Sequence, residues 1–462
     1  MAAFGCAGSI KLNFFALSPQ GPVDAGTGQD LSAIGRGQAQ RLTVLDSVRG
    51  IAAMIVVVHH CLLTQPAFSD YFFSTWRTNA STLTEYLLFH TPIRIVWDGY
   101  EAVTLFYVLS GLVLMLPWVE GRPPDYLAFC VKRICRIYLP YCAAIAGAAT
   151  LAVLLIHSAN VPGASDWVNH MTWSNPITPG VLADHALMIG HYNTVNGVIH
   201  SLIWEMRVSL LFPILVLPLV RWKAKGAVGT CAILLAFVAM TQIGFAQPGR
   251  GVALLEFSPT LSMVGRALLE MQWTAYYACF FVLGATMAMY LGAIRRLLTD
   301  LPSVAQWAIL LVGLLMFQAH WTRIHPLQET MVALGSALVI AAALSPGVIE
   351  RGLMRPVLRF LGRISYSIYL VHVPLLLTAV LLLQGRVPMP LILLCVPPTA
   401  VAVGWLFQVT VTEPSAQLGA HLARRLRQYR QASAASKPLP NPVTVSRAHS
   451  EAMTLSGPNS AL

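Results

Sequence analysis

The chain has 462 residues, of which 56% are hydrophobic and 11% charged, and a formal net charge of +11. A soluble protein carries about 25% charged residues, so this chain lacks the charge to coat a water-facing surface of its size. That excludes a soluble enzyme, a nucleic-acid-binding module and a disulfide-stapled secreted domain, and it leaves an all-α polytopic bundle in a lipid bilayer.

Residues 1–41 are rich in Gly, Ala and Gln and lack a basic start followed by an apolar core. They read as a flexible cytoplasmic segment and not as a cleaved signal peptide. Ten segments then approach the roughly 20 mostly apolar residues that a span needs. The first five run near Val44 to Leu63, Ala102 to Val119, Tyr138 to Ile156, Leu202 to Val220 and Ala227 to Phe245. The other five lie near Ala275 to Leu291, Val304 to His320, Gln328 to Leu344, Tyr366 to Leu383 and Pro388 to Thr410. Together they define a membrane domain over 42–412, followed by a basic, largely disordered cytoplasmic tail over 413–462. With the N-terminus inside, the cytoplasmic segments carry 23 Lys and Arg against six outside. That bias predicts about ten transmembrane helices with both termini in the cytoplasm. None of the eight cysteines forms C-x-x-C. The outer loop from His157 to Ile199 holds His157, His170, His185 and His191 without tight ligand spacing. No disulfide framework or metal site is expected, and the loop reads as polar, facing substrate or solvent.

Ionisable residues within a membrane are costly and therefore functional candidates. In the first span, His60 falls about 20° around the helix from Arg49, with Asp46 about 60° to the other side. The axial rise from Arg49 to His60 is about 16.5 Å. One helix face thus presents an acid and a cation at the inner surface and an imidazole in the outer half. Such a face suits a phosphorylated donor anchored at Arg49 with a long arm reaching His60, a residue able to act as general base near neutral pH. It also suits an Asp-Arg pair that merely anchors the helix end. His59 points about 100° away from His60 and is the weaker candidate. Glu205, in the fourth span, lies at a similar depth to His60 and is placed to orient it or stabilise its protonated form. Arg207 lies in the same span, two residues on, where the two side chains do not face each other. Arg133 and Arg136 follow Lys132 on the inner side, where orientation alone explains them, although Arg forks also suit phosphate. Tyr366, Tyr369 and His372 recur every three residues along one face of the ninth span.

Taken together these residues resemble the membrane-bound acyltransferase-3 family of O-acyltransferases. The opening L-D-x-x-R-G pattern stands as Leu45-Asp46-Ser47-Val48-Arg49-Gly50, and a ten-residue spacer selects His60. An F-F-x-L-S-G-F motif stands as Phe106-Tyr107-Val108-Leu109-Ser110-Gly111-Leu112, and R-x-x-R as Arg133 and Arg136. S-L-x-x-E is Ser201 to Glu205, and S-Y-S-h-Y-L-h-H-x-P is Ser365 to Pro374. Two features depart from the family. Arg207-Val208-Ser209 stands where aromatic residues are common, and only a short tail follows the last span where many members append an extracytoplasmic domain.

The resemblance implies an enzyme that moves an acyl group, often acetyl, from cytoplasmic acyl-CoA to a hydroxyl of an extracytoplasmic glycan or exopolysaccharide. It implies His60 as catalytic base or acyl relay, supported by Glu205, with Asp46 orienting Arg49. Arg49, Arg133 and Arg136 would hold the CoA phosphates, and Ser110, Arg207, Tyr366, Tyr369 and His372 would line the substrate channel. The expected setting is a bacterial cytoplasmic (inner) membrane, with a polysaccharide synthase or export complex as a possible partner. Two rival readings stay open: a transporter or flippase that uses His and Glu as a proton relay, and a non-catalytic subunit of a polysaccharide machine.

Overall fold

A computed structural model of the chain describes residues 28–73, 80–155, 161–171, 173, 177–190, 195–245, 259–318 and 325–435. Side chains are described from 42 onward, except those of 242–245, 259–266, 325–326 and 434–435. The described residues are helical, with no strand among them. The helices are α1 (Gly28–Leu63), α2 (Pro66–Phe73), α3 (Leu83–His90), α4 (Gly99–Val119), α5 (Tyr126–Arg133) and α6 (Leu139–Leu154). They continue with α7 (Asp166–Met171), α8 (Pro179–Ala186), α9 (Ile199–Phe245), α10 (Pro259–Met289), α11 (Leu291–Thr299) and α12 (Ser303–Phe317). The last are α13 (His325–Ala343), α14 (Val348–Leu353), α15 (Pro356–Leu383), α16 (Met389–Phe407) and α17 (Glu413–Ala435).

Every expected span coincides with helix, but the count differs. Among the described residues, six helices are long and apolar enough to cross a membrane, or seven if α10 and α11, bent by 63°, form one broken span. The expected spans near Leu202 and Ala227 share α9, which breaks at Lys223 (φ 51°, ψ −126°). A Cβ at Gly226 would sit 2.0 Å from the carbonyl oxygen of Pro218, so the chain reverses there into a helical hairpin. The spans expected near Val304 and Gln328 appear as shorter apolar helices. Both flanking segments are also partly helical. Helix begins at Gly28, inside the segment expected to be flexible, and it continues through Ala435, inside the tail expected to be largely disordered.

The bundle is drawn together at glycines, as expected where lipid offers no hydrophobic drive and close backbone approach supplies the packing. A Cβ on Gly50 would lie 2.5 Å from the Gly362 nitrogen, and one on Gly362 would lie 2.4 Å from the Asp46 carbonyl oxygen. The same motif glycine that follows Arg49 therefore presses α1 against α15. Gly111 and Gly284 do the same for α4 and α10, each facing a backbone oxygen of the other helix at about 2 Å. Two π-turns interrupt the helices, at Ile134–Tyr138 between α5 and α6 and at Gln408–Thr412 between α16 and α17. Both fall at one cavity, a common placement for such turns.

Candidate functional site

α1, α4, α5, α9, α15 and α17 surround a cavity of about 1050 Å³. Eight of the eleven residues singled out from sequence line it: Asp46, Arg49, Ser110, Arg133, Arg136, Glu205, Tyr366 and Tyr369. The whole lining carries eight cations against four carboxylates. Arg49 donates to Asp46 at 2.9 Å, an i,i+3 pair on the first helix. Among the described residues, no carboxylate lies within ion-pair distance of Lys132, Arg133, Arg136, Arg359 or Arg363. Such cations line the cavity without a carboxylate partner and remain available to an anion.

The π-turns explain how the walls are held. The Tyr366 hydroxyl donates to the carbonyl of Ile137 at 2.8 Å, inside the turn that carries Arg136. On the facing wall, Ser367 donates to Gln408 at 2.8 Å and meets the Thr412 hydroxyl at 2.9 Å. Deeper in, Ser110 donates to Glu205 at 3.1 Å. The Tyr369 hydroxyl lies 2.6 Å from the Ser201 hydroxyl and donates to the Val198 carbonyl at 3.3 Å.

His60 and His372 lie outside this lining and pair with each other. Their rings are 5.0 Å apart, with His372 Nε2 3.3 Å from His60 Nδ1. His372 Nδ1 sits 2.9 Å from the Tyr369 carbonyl, and His60 Nδ1 sits 2.9 Å from the Val56 carbonyl. A carbonyl only accepts, so each Nδ1 carries the proton. The His60 Nδ1–H then also faces the His372 Nε2 lone pair. His60 Nε2 keeps a lone pair that meets no donor among the described residues, and the ring is half-buried, whereas His372 is 1% exposed. Tyr369 joins the two parts of the site: it lines the cavity, and its ring is 5.7 Å from that of His372. Trp167, from α7 in the outer loop, covers His60 at a ring distance of 5.5 Å.

Three expectations change. Glu205 and His60 do not meet: α4 packs between α1 and α9, Glu205 bonds Ser110 in the arginine-lined cavity, and His60, outside that lining, meets His372. Arg207 does not line the cavity. It pairs with Glu270 at 3.0 Å and donates to the carbonyls of Met188 and Ile189 at 3.0 and 2.7 Å, clamping the outer loop where Met188 adopts a left-handed φ of 50°. In the 157–199 loop, expected to face substrate or solvent, His185 is instead fully buried; His157 and His191 lie outside the described residues. His59 is buried. Its Nδ1 donates to the Trp97 carbonyl at 2.8 Å, and its ring fills the space a Cβ on Gly99 would take.

Sequence reasoning overlooked Arg122, Arg359, Arg363, Gln408, Thr412 and Arg427, all in the cavity wall. It also overlooked a charged cluster at the opposite end of α4. Arg94, Asp98 and Glu101 are each at most 3% exposed. Arg94 Nε lies 2.9 Å from Asp98 Oδ1, an ion pair whose N–H is not aimed as a hydrogen bond, and Arg94 Nη2 lies 3.9 Å from Glu101. Burial, and the neighbouring Glu101, hold the Asp98 carboxyl well above the usual carboxylate range against the pull of Arg94. The i,i+4 and i,i+7 spacing ahead of an apolar run was the available signal.

An all-helical bundle with several membrane-length apolar helices around an arginine-lined cavity defines an integral membrane protein with a built internal site. The model of the acyltransferase-3 family, described as "Acyltransferase domain", matches residues 42–409, and the chain belongs to that family. It is an integral membrane acyltransferase whose activity is not of the aminoacyl type. No curated protein and no solved structure matches the chain.

Proposed function

We propose that this acyltransferase takes its acyl group, an acetyl group, from cytoplasmic acyl-CoA and transfers it to a hydroxyl of an extracytoplasmic glycan or exopolysaccharide. In this reading the chain crosses a bacterial cytoplasmic membrane ten times with both ends inside. The observation that carries it is the path from Arg133, Arg136 and Arg49 through Ser110 and Tyr369 to the His372–His60 pair. Phosphates of the donor lie among the arginines, whose planar forks suit them. The pantetheine arm runs inward past Tyr369, so that the thioester reaches His60.

The chemistry uses atoms already in place. His60 Nε2 takes the proton from the acceptor hydroxyl as its oxygen attacks the thioester carbonyl. The C–S bond breaks as the C–O ester bond forms, and the proton passes from His60 to the departing sulfur, giving free CoA thiol. While the imidazolium exists, His372 Nε2 accepts from His60 Nδ1–H and spreads its charge. Glu205, held by Ser110, stays with the arginine-rich part of the path and supports the donor's position there.

The test is acyl transfer from acetyl-CoA by purified His60→Ala protein, with CoA thiol release as the readout. A loss of about 10²–10⁴-fold is expected for removal of a general base. Retained transfer would overturn the assignment, and proton-coupled flux without thiol release would favour a transporter.

A further inference from the structure

The cavity's charge does not end with the three arginines of the proposed donor path. Helix α17, beyond the last apolar helix, contributes Glu413, Ala416 and Arg427 to the same wall. At 100° per residue these three fall within about 60° of one another, and from Glu413 to Arg427 the face runs about 21 Å along the cavity. The helix is pinned in that place rather than lying loose on a membrane surface. Arg430 pairs with Asp125 at 2.7 Å, and a Cβ on Gly419 would lie 2.7 Å from the Cβ of Cys135 in the π-turn that carries Arg136. Arg427 itself makes no ion pair among the described residues, is exposed at the rim, and faces Lys132 electrostatically. A like-charged, unneutralised rim held in fixed geometry is a poor structural device and a good phosphate site.

Resting on the acyl-CoA reading of this cavity, we infer that α17 is a specificity element of the donor site. Arg427, with Lys132, which it faces, takes the terminal phosphomonoester on the donor's ribose, while Arg49, Arg133 and Arg136 take the inner phosphates. The rim charge thereby selects a free CoA thioester over donors that lack the ribose phosphate. A terminal phosphomonoester carries about −1.5 to −2 at neutral pH, the richest single anion on such a ligand.

The full-length protein in detergent is titrated with CoA and with dephospho-CoA, which lacks only the ribose phosphate. Wild type should bind CoA at least about tenfold more tightly, the worth of one charge-assisted contact. Arg427→Ala should erase that preference by weakening CoA alone, and Arg427→Lys should restore part of it. Arg425→Ala removes the same charge from the other side of the helix and should change neither affinity. Wild type that binds neither ligand would sink the donor reading and this inference with it. Wild type that binds both equally, or an Arg425→Ala loss equal to that of Arg427→Ala, would overturn the inference and leave the donor reading standing. Repeating the titration in nanodiscs with and without anionic phospholipid separates the occupants. Displacement of CoA by the lipid headgroup at this rim would also overturn it.

Discussion

At one end of α4, Arg133, Arg136, Arg359 and Arg363 face an open cavity with no carboxylate in ion-pair reach among the described residues. At the other end, Arg94 is 3% exposed and sits against Asp98 and Glu101. The same side chain serves two purposes because its surroundings differ in water. A sealed guanidinium persists only with an anion beside it, since desolvation costs several kcal/mol per ion, on the order of the whole stability of a domain. A cavity-facing guanidinium retains water until a ligand displaces it. The cluster is therefore read as structure, and the cavity as a site.

The largest expected effect sets these two ends against each other. Arg94→Ala strands two buried carboxylates and should cost about 3–5 kcal/mol of stability, the usual result of removing one partner of a buried pair. Thermal unfolding in detergent would show it as a large drop in melting temperature. Arg133→Ala should leave the melting temperature nearly unchanged while abolishing the extra stabilisation that added acetyl-CoA gives the wild type. An Arg133→Ala protein that melts as low as Arg94→Ala would erase the distinction. The adjacent histidines supply a second, smaller contrast. His59→Leu deletes the bond to the Trp97 carbonyl and should cost about 1–3 kcal/mol while leaving residual transfer measurable. A stable His59→Leu protein without activity would move the chemistry onto His59.

How much of this was legible from sequence follows from what a linear reading can resolve. Helix positions were legible because apolar runs are local, and the cavity wall was legible because its motifs pair a polar side chain with its own glycine: Arg49 with Gly50, Ser110 with Gly111. Azimuth was not. Counting residues along each span puts Glu205 and His60 at one depth, whereas packing sets Glu205 in the cavity against Ser110 and His60 outside it against His372, with α4 between them. Arg207 stood out as an intramembrane charge, yet its partners Glu270, Met188 and Ile189 come from other elements. Arg359, Arg363 and Arg427 were invisible for the opposite reason. Positive-inside bias explains any arginine at the inner surface, so an orientation charge and a cavity charge look alike until the fold brings them to one wall. The count of ten treats each apolar run as one crossing, whereas counting by helix merges the two runs of α9 and sets aside the shorter α12 and α13.

Ser110→Ala probes the site side of the comparison at finer scale. It removes a donor to Glu205, 3.1 Å away, and should slow transfer by about tenfold, the worth of one hydrogen bond to a charged group, with stability little changed. Unchanged turnover would mean that Glu205 needs no holding from α4.

The smallest effect belongs to the sealed side and is a matter of pH. His185 in the outer loop is fully buried, with no hydrogen-bond partner for its ring among the described residues, and burial lowers its pKa below the ordinary 6.5 despite the opposing charge of Asp184. The unfolded chain takes up a proton as pH falls through about 6.5, whereas the folded chain does so only at lower pH. Between those points the unfolded state binds more protons, so this histidine's share of stability is present above about 6.5 and is lost as pH falls toward the folded value. His185→Gln cannot titrate, so its melting temperature should decline less steeply than the wild type's between about pH 7 and pH 5. The difference between the two slopes isolates His185 from His59, His60 and His372, which both proteins share. Equal slopes would mean that the ring already exchanges protons with water in the folded state, and the outer loop would then belong with the open cavity and not with the sealed cluster.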